Sequence, residues 1–384
     1  MISSAVASVL SADMLRVIDV PTPYLVTDLD TVADRYAAFT TALPGVRAHY
    51  AMKCNSSPEI LRTLADAGAG FEISSIAELR MLQAQGVDPA GVLYSHPVKA
   101  PGMIAAAAGA GLFRFAFDSP GELAKIAENA PGAACYVRLR VDDSTSVFPA
   151  GNKFGTDLDE AYDLMLLARR MGLRPYGVTF HVGSQCQSTG AWRSAIRQAG
   201  ALLERLLDEG IELTMLDLGG GFPARYGAGE PSIEQLGEVV EQEIALLPYR
   251  PALLTAEPGR FLVAEASVLA AKVIGRELRG TEHWLYVEVG AYHGLMEPMQ
   301  SPGGWDYPMS SSVAEHAEQP TLPFTIAGPS GHATDVVGYA IPLPAGLTVG
   351  DVLYFGSAGA YTLAYASNFN GFAPPTPVFV GGVR

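Results

Sequence analysis

Arg47-Ala-His-Tyr-Ala-Met-Lys53, followed by Cys54-Asn-Ser-Ser-Pro58, decides the reading of the fold. The first seven residues alternate loosely and read as a strand, and Ser57-Pro58 opens a helix, because proline is tolerated in a helix's first turn. Lys53 stands at the C-terminal end of that strand. Tyr50, Ala51 and Met52 before it read as packed interior, so its amine is expected in surroundings that disfavour the charged form. Such an amine is available as a nucleophile for carbonyls. The alternative is a lysine that snorkels out of a strand end.

The same unit recurs on either side of this stretch. Apolar runs near 47–53, 70–74, 91–95, 113–118, 135–141, 176–181, 213–218 and 252–257 read as buried strands. Helical segments lie between them, including 58–67, 76–85, 120–130, 159–171, 190–209 and 232–247, punctuated by Ser119-Pro120, Gly68, Gly172 and Gly210. A strand over 22–28 precedes a helix for which Asp30 is the expected N-cap. Eight alternating strands imply an α/β protein with a parallel sheet, and eight is the number that closes a TIM barrel; an open doubly wound sheet is the alternative. Helical periodicity fades after Arg276, and strand-like runs at 284–289, 323–327, 336–342, 350–355 and 377–380 predict an all-β domain. The expected organisation is a barrel over 30–262 and a β-sheet domain formed by 1–29 and 263–384.

With 384 residues the chain exceeds one ordinary hydrophobic core. Its formal charge of −15 argues against nucleic acid and anionic membrane as partners. No stretch approaches the roughly 20 apolar residues of a membrane span, and the first 18 residues lack the basic start of a signal peptide. Cys54, Cys135 and Cys186 are widely spaced and the seven histidines show no His-x-x-x-His pattern, so neither a disulfide framework nor a zinc site is expected. A reducing cytoplasm fits.

A barrel carries its active site at the C-terminal ends of its strands. Those ends hold Lys53, Glu72, Arg138, His181, Gly219-Gly-Gly221 and Glu257-Pro-Gly-Arg260. This set has the parts that pyridoxal phosphate requires: a Schiff-base lysine, glycines whose bare N–H groups can approach a phosphate, and Gly259 and Arg260 after strand eight. Glu257 would keep the pyridine nitrogen protonated and the cofactor a strong electron sink. His181, beside Gly183-Ser184, would lie on the ring. Each has a plainer reading: a tight strand–helix junction, a helix-capping carboxylate, a buried histidine bonded to backbone.

The chain resembles the fold-type III, pyridoxal phosphate-dependent ornithine, diaminopimelate and arginine decarboxylases. The resemblance rests on Pro23-Tyr-Leu-Val, Tyr50-Ala-Met-Lys-Cys-Asn55, Gly70-Phe-Glu-Ile-Ser-Ser75, Phe180-His-Val-Gly-Ser184 and Leu216-Asp-Leu-Gly-Gly-Gly-Phe-Pro223. It continues through Glu257-Pro-Gly-Arg260, Gly328-Pro, Gly359-Ala-Tyr361 and Phe369-Asn-Gly-Phe372. It implies an alanine racemase-like fold, Lys53 as the cofactor lysine, His181 stacked on the ring, and Glu257 at its nitrogen. It further implies Arg138 near the phenolic oxygen and a phosphate held by Ser184, Gly220, Gly221, Gly259, Arg260 and Tyr361. A homodimer with shared active sites, completed by residues after Pro329, is also implied.

Two departures fall where the family reads its substrate. Basic-substrate members carry Cys-Asp or a similar acidic stretch after Gly-Pro, where this chain has Gly331-His332. Ornithine-type members carry an aspartate where this chain has Val289. Removing one partner of a desolvated charge pair costs about 3–5 kcal/mol, against about 8 kcal/mol for a micromolar ligand. The expected substrate is therefore an amino acid, or conjugate, with an acidic or derivatised distal group. His332, with Arg80 or another cation nearby, is the candidate receiver of that group, Tyr361 is a further candidate substrate contact, and His332 is also a candidate proton donor for the α-carbon in place of the missing cysteine. The alternatives are a basic diamino-acid decarboxylase, with Asp335 as the restored acid, a racemase, and a catalytically inactive regulator resembling the antizyme inhibitors.

Overall fold

The computed structural model describes residues 18–227, 229–301, 304–313 and 320–382. The expectations for the first 17 residues lie outside that set. Two compact units emerge, one of residues 34–223 and 230–259, the other of residues 18–33, 224–227, 229 and the described residues from 260 to 382. Residues 224–227 and 229, inside the range expected for the barrel, group with the sheet unit.

The strands, in chain order, are β1 (Tyr24–Asp28), β2 (Val46–Ala51), β3 (Gly70–Ile73), β4 (Leu93–Tyr94), β5 (Arg114–Phe117), β6 (Ala134–Arg138), β7 (Ser146–Phe148), β8 (Arg174–Thr179), β9 (Ser184–Cys186), β10 (Met215–Asp217) and β11 (Leu253–Ala256). β2, β3, β4, β5, β6, β8, β10 and β11 pair in parallel in that order, and β11 returns to β2, closing the barrel. The open-sheet alternative is thereby excluded. β7 and β9 form a separate antiparallel ribbon. The helices between strands follow their local chemistry: Pro58, Pro101 and Pro120 each stand in a first turn, and Ser75 closes a capping box with Glu78.

The sheet unit adds β12 (Ser267–Arg279), β13 (Glu282–Val287), β14 (Met309–Ser311), β15 (Thr321–Ala327), β16 (Val336–Pro344), β17 (Val352–Phe355) and β18 (Thr376–Val380). β1 joins them, antiparallel to β12 and parallel to β18. Tyr24, Val26, Val268, Ala270 and Tyr354 form a buried cluster in this sheet.

Two local expectations are corrected. The run continuing to Arg276 is the long strand β12, not helix. Its Ser267–Ala271 segment is buried and pairs with β1 on one side and β17 on the other, and that pairing outweighs the helix preference of its alanines. The helix after β1 is Leu29–Ala42, and its start is held by Asp28 rather than Asp30. The Asp28 carboxylate accepts from the Asp30 amide at 3.1 Å and from the Thr31 hydroxyl at 2.7 Å.

Candidate active site

Side chains alternate across a strand, so residues two apart share a face. Leu93, Ala116, Tyr136 and Met215 meet in one buried cluster that fills the barrel. Two residues further along the same faces stand Ser95, Arg138 and Asp217. Glu72, Thr179 and Glu257 stand at the ends of β3, β8 and just past β11. The barrel thus changes from an apolar interior to a polar layer at its C-terminal rim, where chemistry is expected.

Lys53 belongs to that rim but not as first read. It sits in a single 3-10 turn, Met52–Cys54, and is exposed, while both neighbours are fully buried. The turn breaks the strand's alternation and delivers the amine to the open mouth, so the expectation of an amine enclosed by packed interior is overturned. Its charge acts on Glu72, which is buried with Oε2 lacking any partner. Burial pushes the Glu72 carboxyl well above the usual range, Lys53 opposing and Glu257 adding to the effect.

The three glycines are dictated by close approach. A Cβ on Gly220 would lie 2.8 Å from His181 Nε2 and 3.0 Å from the Glu257 carbonyl oxygen, and one on Gly219 would overlap the Phe180 carbonyl. Only bare backbone lets this turn pack on the His181 loop. His181 Nδ1 accepts from the Gly183 amide at 3.0 Å, which leaves the proton on Nε2. Burial, then the charges of Lys53 and Arg138, hold this imidazole well below its ordinary pKa and hence neutral. Ser184 is in β9, and the Arg138 guanidinium lies 5.5 Å from the centre of the Phe154 ring.

Glu257 is the most elaborately held of these groups. Ser95 donates to its Oε1, and the Ser95 and Tyr136 hydroxyls are 2.8 Å apart. Asp217 also hydrogen-bonds Glu257 and accepts from Thr179 Oγ1 at 2.7 Å and the Gly219 amide at 3.1 Å. Burial, followed by the Glu257 charge, raises the Asp217 carboxyl so that it keeps its proton.

In the sheet unit, Arg260 is buried and clamped by both Glu297 oxygens, donates to the Tyr226 hydroxyl at 3.0 Å, and lies 5.0 Å from the Tyr361 ring centre. Val289 is fully buried. Asp335 is buried too, and its carboxylate accepts from the Ala291 amide at 2.7 Å and the Ser330 amide at 3.0 Å. The acid that would restore a partner for a distal ammonium is thus already committed to Ser330 in its own loop and to the Ala291 amide. Gly331 and His332 are exposed, and a Cβ on Gly331 would meet nothing within 4 Å. His332 Nδ1 is 3.0 Å from the Tyr292 hydroxyl and 2.9 Å from Thr334 Oγ1.

The orphaned Glu72 oxygen, the bare glycine turn and a carboxylate braced by donors fit pyridoxal phosphate. The chain's residues 29–264 match the pyridoxal binding domain of the pyridoxal-dependent decarboxylases. The chain belongs to this family. Over 362 residues it is 36% identical to a lysine/ornithine decarboxylase of Selenomonas ruminantium, covering 94% of this chain and 90% of the relative. It is 34% identical to antizyme inhibitor 2 of Xenopus laevis over 91% of this chain and 79% of that protein. A lysine/ornithine decarboxylase from Vibrio vulnificus, solved with putrescine, superposes with a TM-score of 0.87 at 31% identity, covering 97% of this chain and 99% of that one. The protein is a pyridoxal phosphate-dependent amino-acid decarboxylase with the alanine racemase-like architecture. Among the described residues of this decarboxylase no helix is long and apolar enough to cross a membrane, and no acidic, histidine or cysteine cluster could hold a metal.

Ser95, Tyr136, Thr179 and Asp217 were not singled out from the sequence. The fourth strand was read to end at Ser95, so strand ends alone would have found it. A serine, however, carries little chemical signal beside Lys53 or Glu257. Tyr136 and Asp217 follow from parity, each standing an even number of residues from a rim position of the same strand or loop.

Proposed function

We propose that this decarboxylase removes the α-carboxylate of an amino acid whose distal group is acidic or conjugated, and that free ornithine or lysine is not its substrate. The observation that carries this reading is the absence of any available carboxylate at Val289, Gly331 and His332, together with the engagement of Asp335 by the Ala291 and Ser330 amides. His332 supports it: the Thr334 amide points at Nδ1 from 3.4 Å, so the neutral ring carries its proton at Nε2 and offers a donor to an anionic group. The same proton suits His332 for delivery to the α-carbon. A basic diamino acid is the second reading, favoured by the relative of Selenomonas ruminantium, a lysine/ornithine decarboxylase by name.

Pyridoxal phosphate, when bound, supplies the electron sink into which the bond to CO2 breaks. Lys53 would hold the cofactor through its carbonyl group. His181, neutral, would cover the ring; Glu257 would hold a proton at the ring nitrogen; Arg138 would serve the phenolic oxygen. Glu72 is the neutral carboxyl beside the Lys53 amine. Ser184, Gly220, Gly221 and Gly259 supply donors and room for phosphate, with Arg260 and Tyr361 in the role that the family assigns them. We assign the working form as a homodimer in which the 328–335 loop of one protomer meets the substrate held by the other. The cytoplasm is the compartment that three buried cysteines outside any disulfide favour. The test is CO2 release over a panel of glutamate, ornithine, lysine, 2,4-diaminobutyrate and acyl- or citryl-conjugated diamino acids. Turnover confined to the anionic or conjugated members supports the reading, and turnover led by ornithine or lysine overturns it.

A further inference from the structure

Glu257 is held by one hydroxyl, Ser95, that is itself held by a second, Tyr136, and the mechanism above uses neither. Ser95 is nearly buried and Tyr136 wholly so. A serine hydroxyl has one proton, and here it is given to Glu257 Oε1; the Tyr136 hydroxyl, 2.8 Å away, must therefore be the donor to Ser95. Burial, with Glu257 adding, raises the phenol well above its usual range, so it stays a donor throughout the physiological pH range. The Tyr136 ring is itself fixed in the apolar cluster with Leu93, Ala116 and Met215. The direction of the chain is thus imposed from the barrel core upward, toward the carboxylate.

We infer that Ser95 and Tyr136 are positioning residues for Glu257, forming a one-way hydroxyl relay that fixes the carboxylate's orientation before the cofactor arrives. A carboxylate on a flexible side chain otherwise loses rotamer freedom when it binds, and a pre-formed charge-assisted bond removes that cost in advance. The remaining charged or titratable groups that act on or with Glu257 are Glu72, Arg138 and the protonated Asp217. The Ser95 hydroxyl bonds Tyr136 and Glu257 and none of these three, so the relay has no competing direction. The inference rests on the reading of Glu257 as the ring-nitrogen partner, and the experiment separates the two.

The measurement is the apparent dissociation constant of apo-protein for pyridoxal phosphate and for its 1-deaza analogue, in which carbon replaces the ring nitrogen. Ser95→Ala should weaken pyridoxal phosphate binding about tenfold, the loss expected for one hydrogen bond to a charged group, and leave the deaza analogue's affinity unchanged. Ser95→Thr, which keeps a hydroxyl, should restore wild-type discrimination. Tyr136→Phe, which keeps the ring in its cluster, should give the same pattern at about threefold, and it carries the test if Ser95→Ala does not fold. Equal weakening of both ligands by Ser95→Ala or Tyr136→Phe, or no weakening, overturns the relay. Glu257→Gln is the control: if it leaves the preference for pyridoxal phosphate intact, the reading of Glu257 itself fails and the relay with it.

Discussion

Replacing Lys53 by alanine removes an amine from an exposed turn whose neighbours, Met52 and Cys54, supply the packing. The fold should therefore lose no more than about 0.5 kcal/mol, while borohydride-sensitive absorbance with added pyridoxal phosphate, and CO2 release, both vanish. Urea unfolding beside a visible spectrum checks the two halves together. Gly220 predicts the opposite balance. Its alanine variant drives a methyl against the His181 ring and the Glu257 carbonyl, an overpacking that costs about 1–3 kcal/mol. It should reduce both thermal stability and cofactor affinity. Gly331, by contrast, has open space around it, so Gly331→Cys should keep wild-type stability. At this scale the sequence singled out positions where chemistry is concentrated in one side chain, as at Lys53, His181 and Glu257. It was silent on Ser95, whose role exists only through what it touches, and it misjudged the exposure of Lys53 because a one-turn helix leaves no periodic trace.

At the scale of elements, the barrel interior carries a second polar feature on β2. His49 is fully buried, bonded to Thr255, and has an Nε2 without a partner. Burial, then the charges of Arg114 and Arg47, lowers its pKa to about 3. Below pH ~6.5 the unfolded chain takes up a proton on this residue that the folded chain refuses. Stability therefore falls as pH drops from there toward 3, at up to about 1.4 kcal/mol per pH unit. His49→Gln should flatten that slope, so that the difference in unfolding free energy between pH 7 and pH 5 shrinks by about 1–2 kcal/mol; parallel curves would show that the histidine is not buried neutral. The elements themselves were mostly legible, since buried parallel strands and Pro- or Ser-punctuated helices leave local signals. β12 was not, because Val268-Leu-Ala-Ala suits either state and only its neighbours β1, β13 and β17 select the strand.

For the whole molecule, the order of the barrel strands and the placement of Lys53, Glu72, His181 and Glu257 on one rim follow from alternation and from the rule that barrels work at their strand ends. The substrate does not follow in the same way, because under the proposed function it would be read by exposed side chains on a loop, where one residue changes charge without changing structure. His332 is such a residue: it bonds Tyr292 and Thr334 and contributes nothing to a core. Its exchange for aspartate should leave unfolding within about 0.5 kcal/mol of wild type and move substrate preference toward a distal ammonium. The most direct test of the central claim is therefore CO2 release from that amino-acid panel by wild type and His332→Asp side by side. The account predicts that wild type releases CO2 from acidic or conjugated substrates and negligibly from ornithine and lysine, and that His332→Asp gains activity on the latter pair. Robust wild-type turnover of ornithine or lysine, unchanged in His332→Asp, would contradict it.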